Sequence, residues 1–329
     1  MLVRLALHAM GTRFELVLEG DDDGPGAEAH LRAAGEVALA EVELVDAKLS
    51  LFRRDSLLSH IQRNAADQPV KVDPDTFALL ELCAQVCKAT GGSFDPTVAP
   101  LMRAYKLHDD KATTPLVALE EAREQVGWKG RVELLADPCR VAFTAPGTAL
   151  DLGGVAKGYA LDLAIEVLRD AGVTRALMHG GTSTIAAIGQ PRGRAGWPIA
   201  LGSGPDAPRV LLRDDCLAVS APGARSVQHE GRRVDHVLDP RQGLPVQGAL
   251  VTATLSRCAA EADAWSTALL VNADPKGLPP HMESLIGMTD AEGERVPTHW
   301  FHRPRITCTG PSGFCDIPQS RQAAPLQTV

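Results

Sequence analysis

The stretch ALDLGGVAKGYALDLAIEVLRDAG, Ala149–Gly172, joins a glycine turn to a long run with apolar residues at helical spacing. Asp151, Gly153 and Gly154 precede the run, and Lys157 lies one turn inside it. Glycines let the backbone approach a ligand closely, and a helix N-terminus with a nearby lysine favours an anion. The pattern indicates either a site for a phosphorylated ligand or an ordinary strand-to-helix turn with a surface lysine.

The rest of the chain alternates between strand-like and helix-like segments. Further helices are predicted at about Glu28–Lys48, from an N-cap at Asp73 to a stop at Gly91, at Leu119–Trp128 and at Ala259–Ala273. Short strands or hairpins are predicted between them. The first is an alternating segment at Val3–Gly20, which is expected to form a hairpin or a long strand pair, with Met10 and Gly11 inside a strand. This order predicts an α+β fold with an extensive antiparallel or mixed sheet. One domain is expected over residues 1–306, followed by a flexible tail over 307–329.

The composition excludes several classes of protein. The 329-residue chain is 45% hydrophobic, enough for a packed core, and its net charge of -8 argues against nucleic acid as a partner. Seven cysteines without a CxxC pair predict reduced, mostly buried thiols. No apolar run reaches the ~20 residues of a membrane span, and His8 interrupts the N-terminal apolar segment. We expect a cytoplasmic protein as written, or a periplasmic, membrane-associated one if the true N-terminus is longer.

A polar triplet marks the last predicted helix. Asp263, Ser266 and Thr267 have the i, i+3, i+4 spacing that places side chains on one helix face. One carboxylate beside two hydroxyls offers the hard oxygen ligands that Mg²⁺ prefers. The alternatives are a solvated polar face, or hydroxyls that bond back to the carbonyl one turn earlier.

Two other segments carry candidate functional residues. His236 stands three residues before Asp239 and the sequence Pro-Arg-Gln-Gly. A histidine is the usual proton acceptor near neutral pH, whereas Asp239 is also typical of an Asx turn; both interpretations can hold. Near the N-terminus, Gly11 in a strand would indicate close approach of the backbone to another group.

In combination these short motifs resemble the family of FAD:protein FMN transferases, also called the ApbE or thiamine-biosynthesis-lipoprotein family. The resemblance runs from Met10 to about Val271 and implies an ApbE-like, T-fold-related fold of mixed or antiparallel sheets flanked by helices. Its motifs stand in order along the chain at Met10–Thr12, Ser50–Phe52 with Ser56, Phe94–Thr97, Asp151–Tyr159, Gly180–Gly181, His236–Pro245 and Ala262–Thr267.

The resemblance implies a role for each matching residue. Mg²⁺ would be held by the carbonyl of Gly154 together with Asp263, Ser266 and Thr267. His236 would assist the acceptor hydroxyl. The flavin nucleotide would be lined by Met10, Phe52, Ser93, Phe94, Asp95, Asp151, Lys157 and Val237.

The implied reaction is the Mg²⁺-dependent transfer of FMN from FAD to a threonine or serine hydroxyl of an acceptor protein, with release of AMP. The implied partners are FAD and an acceptor with a Ser/Thr-Gly-Ala-Ser/Thr motif. Two alternatives remain open, an FAD pyrophosphatase that forms FMN and AMP and a non-catalytic FAD carrier. A redox flavoenzyme is disfavoured, because the chain has no dinucleotide-binding GxGxxG unit.

Overall fold

A computed structural model of the chain describes residues 1–20, 24, 26–108, 118–201, 209–223, 226–229, 231–246, 249–288, 299–301, 309–310 and 313–314. The α-helices within these ranges are α1 Ala27–Leu49, α2 Leu57–Asn64, α3 Pro74–Ala89, α4 Ala99–Ala104, α5 Leu119–Glu124, α6 Ala156–Asp170 and α7 Ala259–Asn272. A 3₁₀ turn at Pro96–Val98 leads into α4. None of these described helices combines the length and apolar character needed to cross a membrane.

The strands of the described residues are short. They are β1 Leu2–Ala9, β2 Thr12–Glu19, β3 Val70–Lys71, β4 Val132–Leu135, β5 Arg140–Phe143, β6 Ala176–Gly180, β7 Thr184–Ile188, β8 Trp197–Ala200, β9 Arg209–Leu212, β10 Cys216–Ser220, β11 Ser226–His229, β12 Arg232–Asp235, β13 Leu238–Asp239, β14 Leu244–Pro245, β15 Ala249–Ser256, β16 Glu283–Met288, β17 His299–Phe301, β18 Thr309–Gly310 and β19 Gly313–Phe314.

The main sheet has eight strands in the order β1-β2-β6-β7-β10-β15-β16-β17. Every neighbouring pair in it is antiparallel. Smaller pairings flank it: a three-stranded sheet β3-β5-β4 and the hairpin-like pairs β8-β9, β11-β12 and β13-β14. The predicted α+β fold is therefore confirmed, with an antiparallel sheet.

Strand alternation divides the core into two layers. On β6, Met178 faces the larger core that also contains the buried residues of α1, α6 and α7. Its neighbour Leu177 faces the opposite layer, where the β8-β9 pair contributes Trp197 and Val210. This period of two is expected for a strand that is covered on both faces. Helices α1, α6 and α7 thus lie together on one face of the sheet, and α6 and α7 carry the candidate site.

The glycine-turn helix and the polar-triplet helix form where the sequence predicts them, as α6 and α7. Asp73 caps α3 through a hydrogen bond from the Thr76 amide, and Gly91 follows its end with a φ of 62°. The helix expected over Leu119–Trp128 ends earlier, at Glu124. A turn around Gly127 (φ 126°) replaces its second half, because this backbone conformation suits glycine and does not continue a right-handed helix.

Two other predictions differ from the structure. Met10 and Gly11 do not lie inside a strand: with φ angles of 50° and 69° they form the two-residue turn between β1 and β2, a conformation typical of tight hairpins. The segment after Asn272, where no strand was predicted, extends the sheet by β16 and β17. Most of the expected tail, 307–329, lies outside the described residues; within it β18 pairs with β19.

The five described cysteines are free thiols, and three of them are buried: Cys83, Cys87 and Cys216. This agrees with the expectation of reduced core cysteines for the described residues. Cys308 and Cys315 lie outside the described residues.

Candidate functional site at the α6–α7 junction

The glycine turn ahead of α6 is organised by Asp151. Its Oδ1 accepts a hydrogen bond from the Gly153 amide at 2.7 Å, and its own amide donates to the carbonyl of Pro96 at 2.7 Å. The helix then begins at Ala156, whose amide donates to the Leu152 carbonyl. An aspartate that accepts from the amide two residues later is an Asx turn. This turn places the glycine pair at the mouth of α6.

Asp263 of α7 faces the first turn of α6. Its Oδ2 accepts a hydrogen bond from the Gly158 amide at 3.2 Å and lies 3.5 Å from Nζ of Lys157. Its Oδ1 accepts from Oγ1 of Thr184, at the start of β7, at 3.3 Å. Asp263 is 3% exposed. Burial raises the pKa of this carboxyl, against the opposing effects of Lys157, the Gly158 amide and Thr184.

Helices α6 and α7 approach each other closely because α6 has a glycine at the contact. A Cβ atom on Gly158 would lie 2.2 Å from the Ala259 carbonyl oxygen, so no other residue fits without a shift. One turn further along α6, Asp162 accepts hydrogen bonds from the amides of Ala259 at 2.7 Å and Ala260 at 2.9 Å. These amides have no partner within their own helix. The two contacts fix the position of α7, and of Asp263, against α6.

The two hydroxyls of the triplet bond back to the helix. Oγ of Ser266 and Oγ1 of Thr267 donate to the carbonyl of Asp263 at 2.9 and 3.2 Å. The solvated-face alternative is wrong, because Asp263 and Ser266 are buried; the back-bonding alternative is confirmed. The lone pairs of a back-bonded hydroxyl remain able to accept or to ligate.

The environments of these two hydroxyls differ. Oγ of Ser266, a fully buried residue, also lies 2.7 Å from Oγ of Ser220 at the end of β10. Oγ1 of Thr267 faces the glycine turn and lies 3.3 Å from the position of a Cβ on Gly154. A side chain at Gly154 would therefore crowd the space beside Thr267. Of the two hydroxyls, that of Thr267 is the one placed next to the turn.

Lys157 is not an isolated surface lysine. Its side chain is 22% exposed, pairs with Asp263 and donates to the carbonyl of Gly153 at 3.3 Å. The surface-lysine alternative is therefore wrong. The ammonium group stands between the glycine turn and the buried carboxylate, where it supplies positive charge to both.

Asp151 has a second partner that the sequence did not indicate. Its Oδ2 lies 2.8 Å from Nε2 of His108, and both side chains are largely buried. Burial acts to raise the pKa of Asp151, but the hydrogen bond and charge of His108, the Gly153 amide and Lys157 together lower it. The ring of Phe52 meets the His108 ring edge to face, with centroids 6.3 Å apart. Phe52 itself is 40% exposed.

The loop Ser93–Asp95 packs between the turn and α7. Oγ of Ser93 donates to the Ala268 carbonyl at 3.4 Å. The ring of Phe94 lies 3.4 Å from the position of a Cβ on Gly154. Asp95 accepts hydrogen bonds from the amides of Thr97 and Trp128, each at 2.8 Å. In this structure the Asp95 carboxylate holds two chain segments together.

Met10 lies at the sheet end that faces the junction. The β1–β2 turn adjoins the β6–β7 turn: a Cβ on Gly181 would lie 2.5 Å from Oγ1 of Thr12. The β6–β7 turn leads directly to Thr184, the partner of Asp263. Strand register thus brings Met10 to the same end of the sheet as the buried carboxylate.

His236 and Val237 lie on a separate segment, between β12 and β13. Asp239 shapes this segment: its Oδ1 accepts from the Arg241 amide, and its carboxylate forms a two-bond pair with the Arg241 guanidinium at 2.9 and 2.8 Å. The Asx-turn interpretation is confirmed. The segment passes the Ser93 loop, since Cγ of Arg241 lies 3.6 Å from the position of a Cβ on Gly92.

The contacts therefore assemble most of the predicted residues into one region. Gly154, Lys157, Asp263 and Thr267 meet directly, Ser266 supports them from the core side, and Phe94 and Asp151 border the turn. Thr184, Ser220 and His108 were missed by sequence reasoning. They lie 79, 46 and 43 residues from the site residues that they contact, so no local spacing could reveal them.

The donor set is compatible with a hard cation. It comprises one carboxylate, hydroxyl oxygens and the Gly154 carbonyl, which are Mg²⁺-type ligands. No cluster of three or more His, Cys, Asp or Glu side chains suited to a metal occurs in the described part of the chain, and the proposed set does not require one. Fold and site together define an α+β protein with a buried carboxylate, a lysine and a helix N-terminus at one junction between two helices.

The comparisons with known proteins give the family. The sequence profile of the ApbE family matches residues 10–282, and the chain belongs to this family. The FAD:protein FMN transferase of Treponema pallidum (strain Nichols) is 30% identical over 268 residues, covering 75% of this chain and 73% of the relative. That of Klebsiella pneumoniae (strain 342) is 29% identical over 279 residues, covering 80% and 76%. The chain is a transferase of the ApbE family.

Solved structures give the same fold. The ApbE protein of Thermotoga maritima superposes with a TM-score of 0.77 at 26% identity, covering 92% of this chain and 100% of its own. The flavin transferase ApbE of Vibrio cholerae has a TM-score of 0.75 at 20% identity, covering 92% and 96%. At 20% identity, the similarity to the Vibrio cholerae structure is evidence for the fold alone.

Proposed function

We propose that this protein transfers the FMN half of FAD to a threonine or serine hydroxyl of an acceptor protein and releases AMP, in a reaction that requires Mg²⁺. Membership of the ApbE family and the names of its relatives support the flavin donor and the protein acceptor. We further propose that the acceptor carries a Ser/Thr-Gly-Ala-Ser/Thr motif. The hydroxyl acceptor, the metal and the release of AMP rest on the site chemistry argued below.

One observation carries the proposal: Asp263 and Lys157 meet at the mouth of α6, 3.5 Å apart, beside a glycine turn. A diphosphate needs positive charge and backbone amides, which the lysine and the helix N-terminus provide. A divalent cation needs a buried, hard oxygen ligand, which Asp263 provides. The junction of α6 and α7 thus offers a positive group for the diphosphate and a negative group for the metal ion.

The proposed metal ligands are Asp263, Thr267, Ser266 and the carbonyl of Gly154. When bound there, Mg²⁺ would stabilise the negative charge that develops on the diphosphate oxygens. In the structure Lys157 is the positive neighbour of Asp263. The ammonium would turn from the carboxylate to the phosphate oxygens when the nucleotide binds, since its side chain is partly exposed and flexible.

The chemical step exchanges one phosphorus–oxygen bond for another. The acceptor hydroxyl oxygen attacks the FMN-side phosphorus, the bond from this phosphorus to the bridging oxygen breaks, and AMP leaves with the bonding electron pair. We assign His236 as the group that takes the hydroxyl proton, because a neutral imidazole is a base near pH 7. Positioning of the hydroxyl in line with the leaving group would supply much of the remaining rate.

The residues around the turn are proposed to bind the rest of FAD. Phe52 presents a partly exposed ring suited to stacking on a flavin or adenine ring. Asp151 and Asp95 set the backbone of the turn and of the neighbouring loop. The remaining members of the proposed nucleotide-lining set are Met10, Ser93, Phe94, Lys157 and Val237.

Mass spectrometry of a defined mixture tests this function. The protein is incubated with FAD, Mg²⁺ and a peptide or domain that carries the acceptor motif, alongside an acceptor whose motif hydroxyl residues are replaced by alanine. A mass gain equal to FMN on the first acceptor alone, with release of AMP and loss of the gain in EDTA, would support the proposal. Free FMN and AMP without a mass gain would instead indicate a pyrophosphatase, and unchanged FAD would indicate a carrier.

A further inference from the structure

His108 is a buried histidine that the proposed reaction does not yet use. It lies just beyond α4, its side chain is 5% exposed, and Nε2 is 2.8 Å from Oδ2 of Asp151. A carboxylate whose pKa is lowered is an acceptor near neutral pH. The proton of this hydrogen bond therefore belongs to Nε2. Asp151 thus fixes both the orientation of the ring and the nitrogen that donates to it.

The second ring nitrogen has no such partner. Nδ1 of His108 is buried and makes no hydrogen bond in the described part of the structure. A buried polar atom without a partner is unfavourable, so nearly all such atoms in folded proteins are paired with protein, water or ligand. Nδ1 and Nε2 flank the same carbon, Cε1, and their hydrogen-bonding directions diverge widely in the ring plane, so Nδ1 does not face Asp151 when Nε2 does. A partner for it must come from a group that the described chain does not provide.

The position of the ring suggests which group that is. One neighbour, Asp151, holds the glycine turn through the Gly153 amide. The other neighbour, Phe52, is exposed at the surface and is proposed above to stack on a ring of FAD. His108 thus lies between two residues of the proposed nucleotide site, 43 residues away along the chain from Asp151.

We propose that His108 is a further nucleotide-recognition residue: Nε2–H positions Asp151, and Nδ1 forms a hydrogen bond with a hydroxyl or amino group of the bound flavin nucleotide. This inference rests on the proposed function, because it requires FAD to occupy the proposed nucleotide site. It adds a specificity contact beside Asp151 and Phe52, without a role in proton transfer.

The test is an equilibrium titration with FAD, followed by flavin fluorescence, without acceptor protein. His108→Leu removes both nitrogens, His108→Gln keeps a donor near the position of Nε2, and His108→Asn keeps a polar group near the position of Nδ1. We expect the Kd for FAD to rise about tenfold in the Leu and Gln variants and about threefold in the Asn variant. We also expect KM for FAD to rise while kcat changes by less than about threefold.

His281→Leu is the matched control. It removes a histidine–carboxylate pair of similar length, Nε2 of His281 to Oε2 of Glu261 at 3.0 Å, outside the proposed nucleotide site. This variant should bind FAD as the wild type does. FMN and ADP are titrated separately, and a specific contact predicts that His108→Leu weakens one of them more than the other. Thermal unfolding of each variant identifies any that fails to fold.

Several results would overturn the inference. Wild-type affinity in His108→Leu would exclude a contact with the nucleotide. Full affinity in His108→Gln would reduce His108 to a support for Asp151, and equal losses for FMN and ADP would indicate general disruption of the proposed nucleotide site. If the wild type transfers FMN and the His108→Leu variant binds FAD with unchanged affinity, only this inference fails. If the wild type does not bind FAD, both the inference and the proposed function fail.

Discussion

Asp151 and Asp263 are buried carboxylates on either side of the same glycine turn, yet their electrostatic settings are opposite. For Asp151, burial is outweighed by His108, the Gly153 amide and Lys157, and its pKa is lowered. For Asp263, burial outweighs Lys157, the Gly158 amide and Thr184, and its pKa is raised. Asp151 is therefore already stabilised as an anion by the fold. The ionised form of Asp263 is not fully stabilised by its neighbours, so a bound cation would stabilise it further. A raised pKa of this kind is typical of functional carboxylates.

The comparison predicts that Asp263→Asn separates activity from stability. The neutral amide oxygen of asparagine lacks the negative charge of the carboxylate and is a weaker Mg²⁺ ligand, so FMN transfer should fall at least about 100-fold. The free energy of unfolding should stay within about 1 kcal/mol of the wild type, because a neutral amide avoids the desolvation of a buried charge. Activity is measured by mass gain of the acceptor, and stability by urea unfolding without ligands.

Asp274→Asn is the control for this variant. Asp274 follows α7, is exposed, and accepts a hydrogen bond from the Lys276 amide. Its substitution should leave transfer unchanged. Retained transfer in Asp263→Asn would remove Asp263 from the metal site and would break the proposed contrast between the two carboxylates.

His236 lies on a different segment from Asp151 and Asp263, between β12 and β13. Its substitution should affect the chemical step alone. His236→Ala should lower kcat for transfer about 100-fold while the Kd for FAD stays unchanged. Single-turnover transfer and FAD titration measure the two effects. The control is His229→Ala, which removes a ring that packs on Tyr105 at 5.0 Å. A weaker FAD affinity with unchanged kcat would place His236 in nucleotide binding instead.

A substitution of Lys157 tests whether its ammonium group contributes to nucleotide binding at the glycine turn as well as pairing with Asp263. In Lys157→Met, the Kd for FAD should rise about tenfold, as expected for loss of one charge-assisted hydrogen bond to phosphate. Lys48→Met is the matched control, because it removes a similar pair, Nζ to Oδ1 of Asp73 at 3.2 Å, away from the turn. An equal rise in the Kd for FAD in Lys157→Met and Lys48→Met would indicate that Lys157 contributes only a nonspecific electrostatic attraction.

The parts of the fold that local chemistry determines could be predicted from the sequence. Helix α3 begins where an aspartate cap precedes Pro74, and α6 follows a glycine turn. A hairpin or strand pair was expected for β1 and β2, but the position of its turn at Met10 and Gly11 was missed, because alternation of apolar and polar residues continues through it. Only the positive φ angles of both residues distinguish it from a strand.

The candidate site was predicted residue by residue through a family resemblance, but its contacts were not. The pairing of Asp263 with Gly158 joins positions 105 residues apart. It depends on Gly158 and Asp162 bringing two helices together. The link between His108 and Asp151 likewise arises only when the segment after α4 packs beside the turn. Spacing along one segment carries no information about such tertiary pairings.

The smallest expected effect concerns Asp151 and depends on pH. Its pKa is lower in the folded chain than in the unfolded one, where it is about 3.9. Its ionisation therefore stabilises the fold above about pH 3.9, and this contribution is lost as the pH falls through the lower, folded pKa. Asp151→Asn lacks it and should be about 1 kcal/mol less stable at pH 7, with a difference from the wild type that shrinks in acid.

Urea unfolding at neutral pH and at several values below about pH 4 measures that difference. Asp73→Asn is the informative control, because the pKa of Asp73 is also lowered and its carboxylate caps α3 away from the turn. Both variants should lose stability at neutral pH, but only Asp151→Asn should also weaken FAD binding. A stability difference that grows in acid would have the wrong sign for a carboxyl with a lowered pKa. Asp151 and Asp263 would then be electrostatically alike, and the distinction between a carboxylate that holds the turn and one that awaits a cation would be lost.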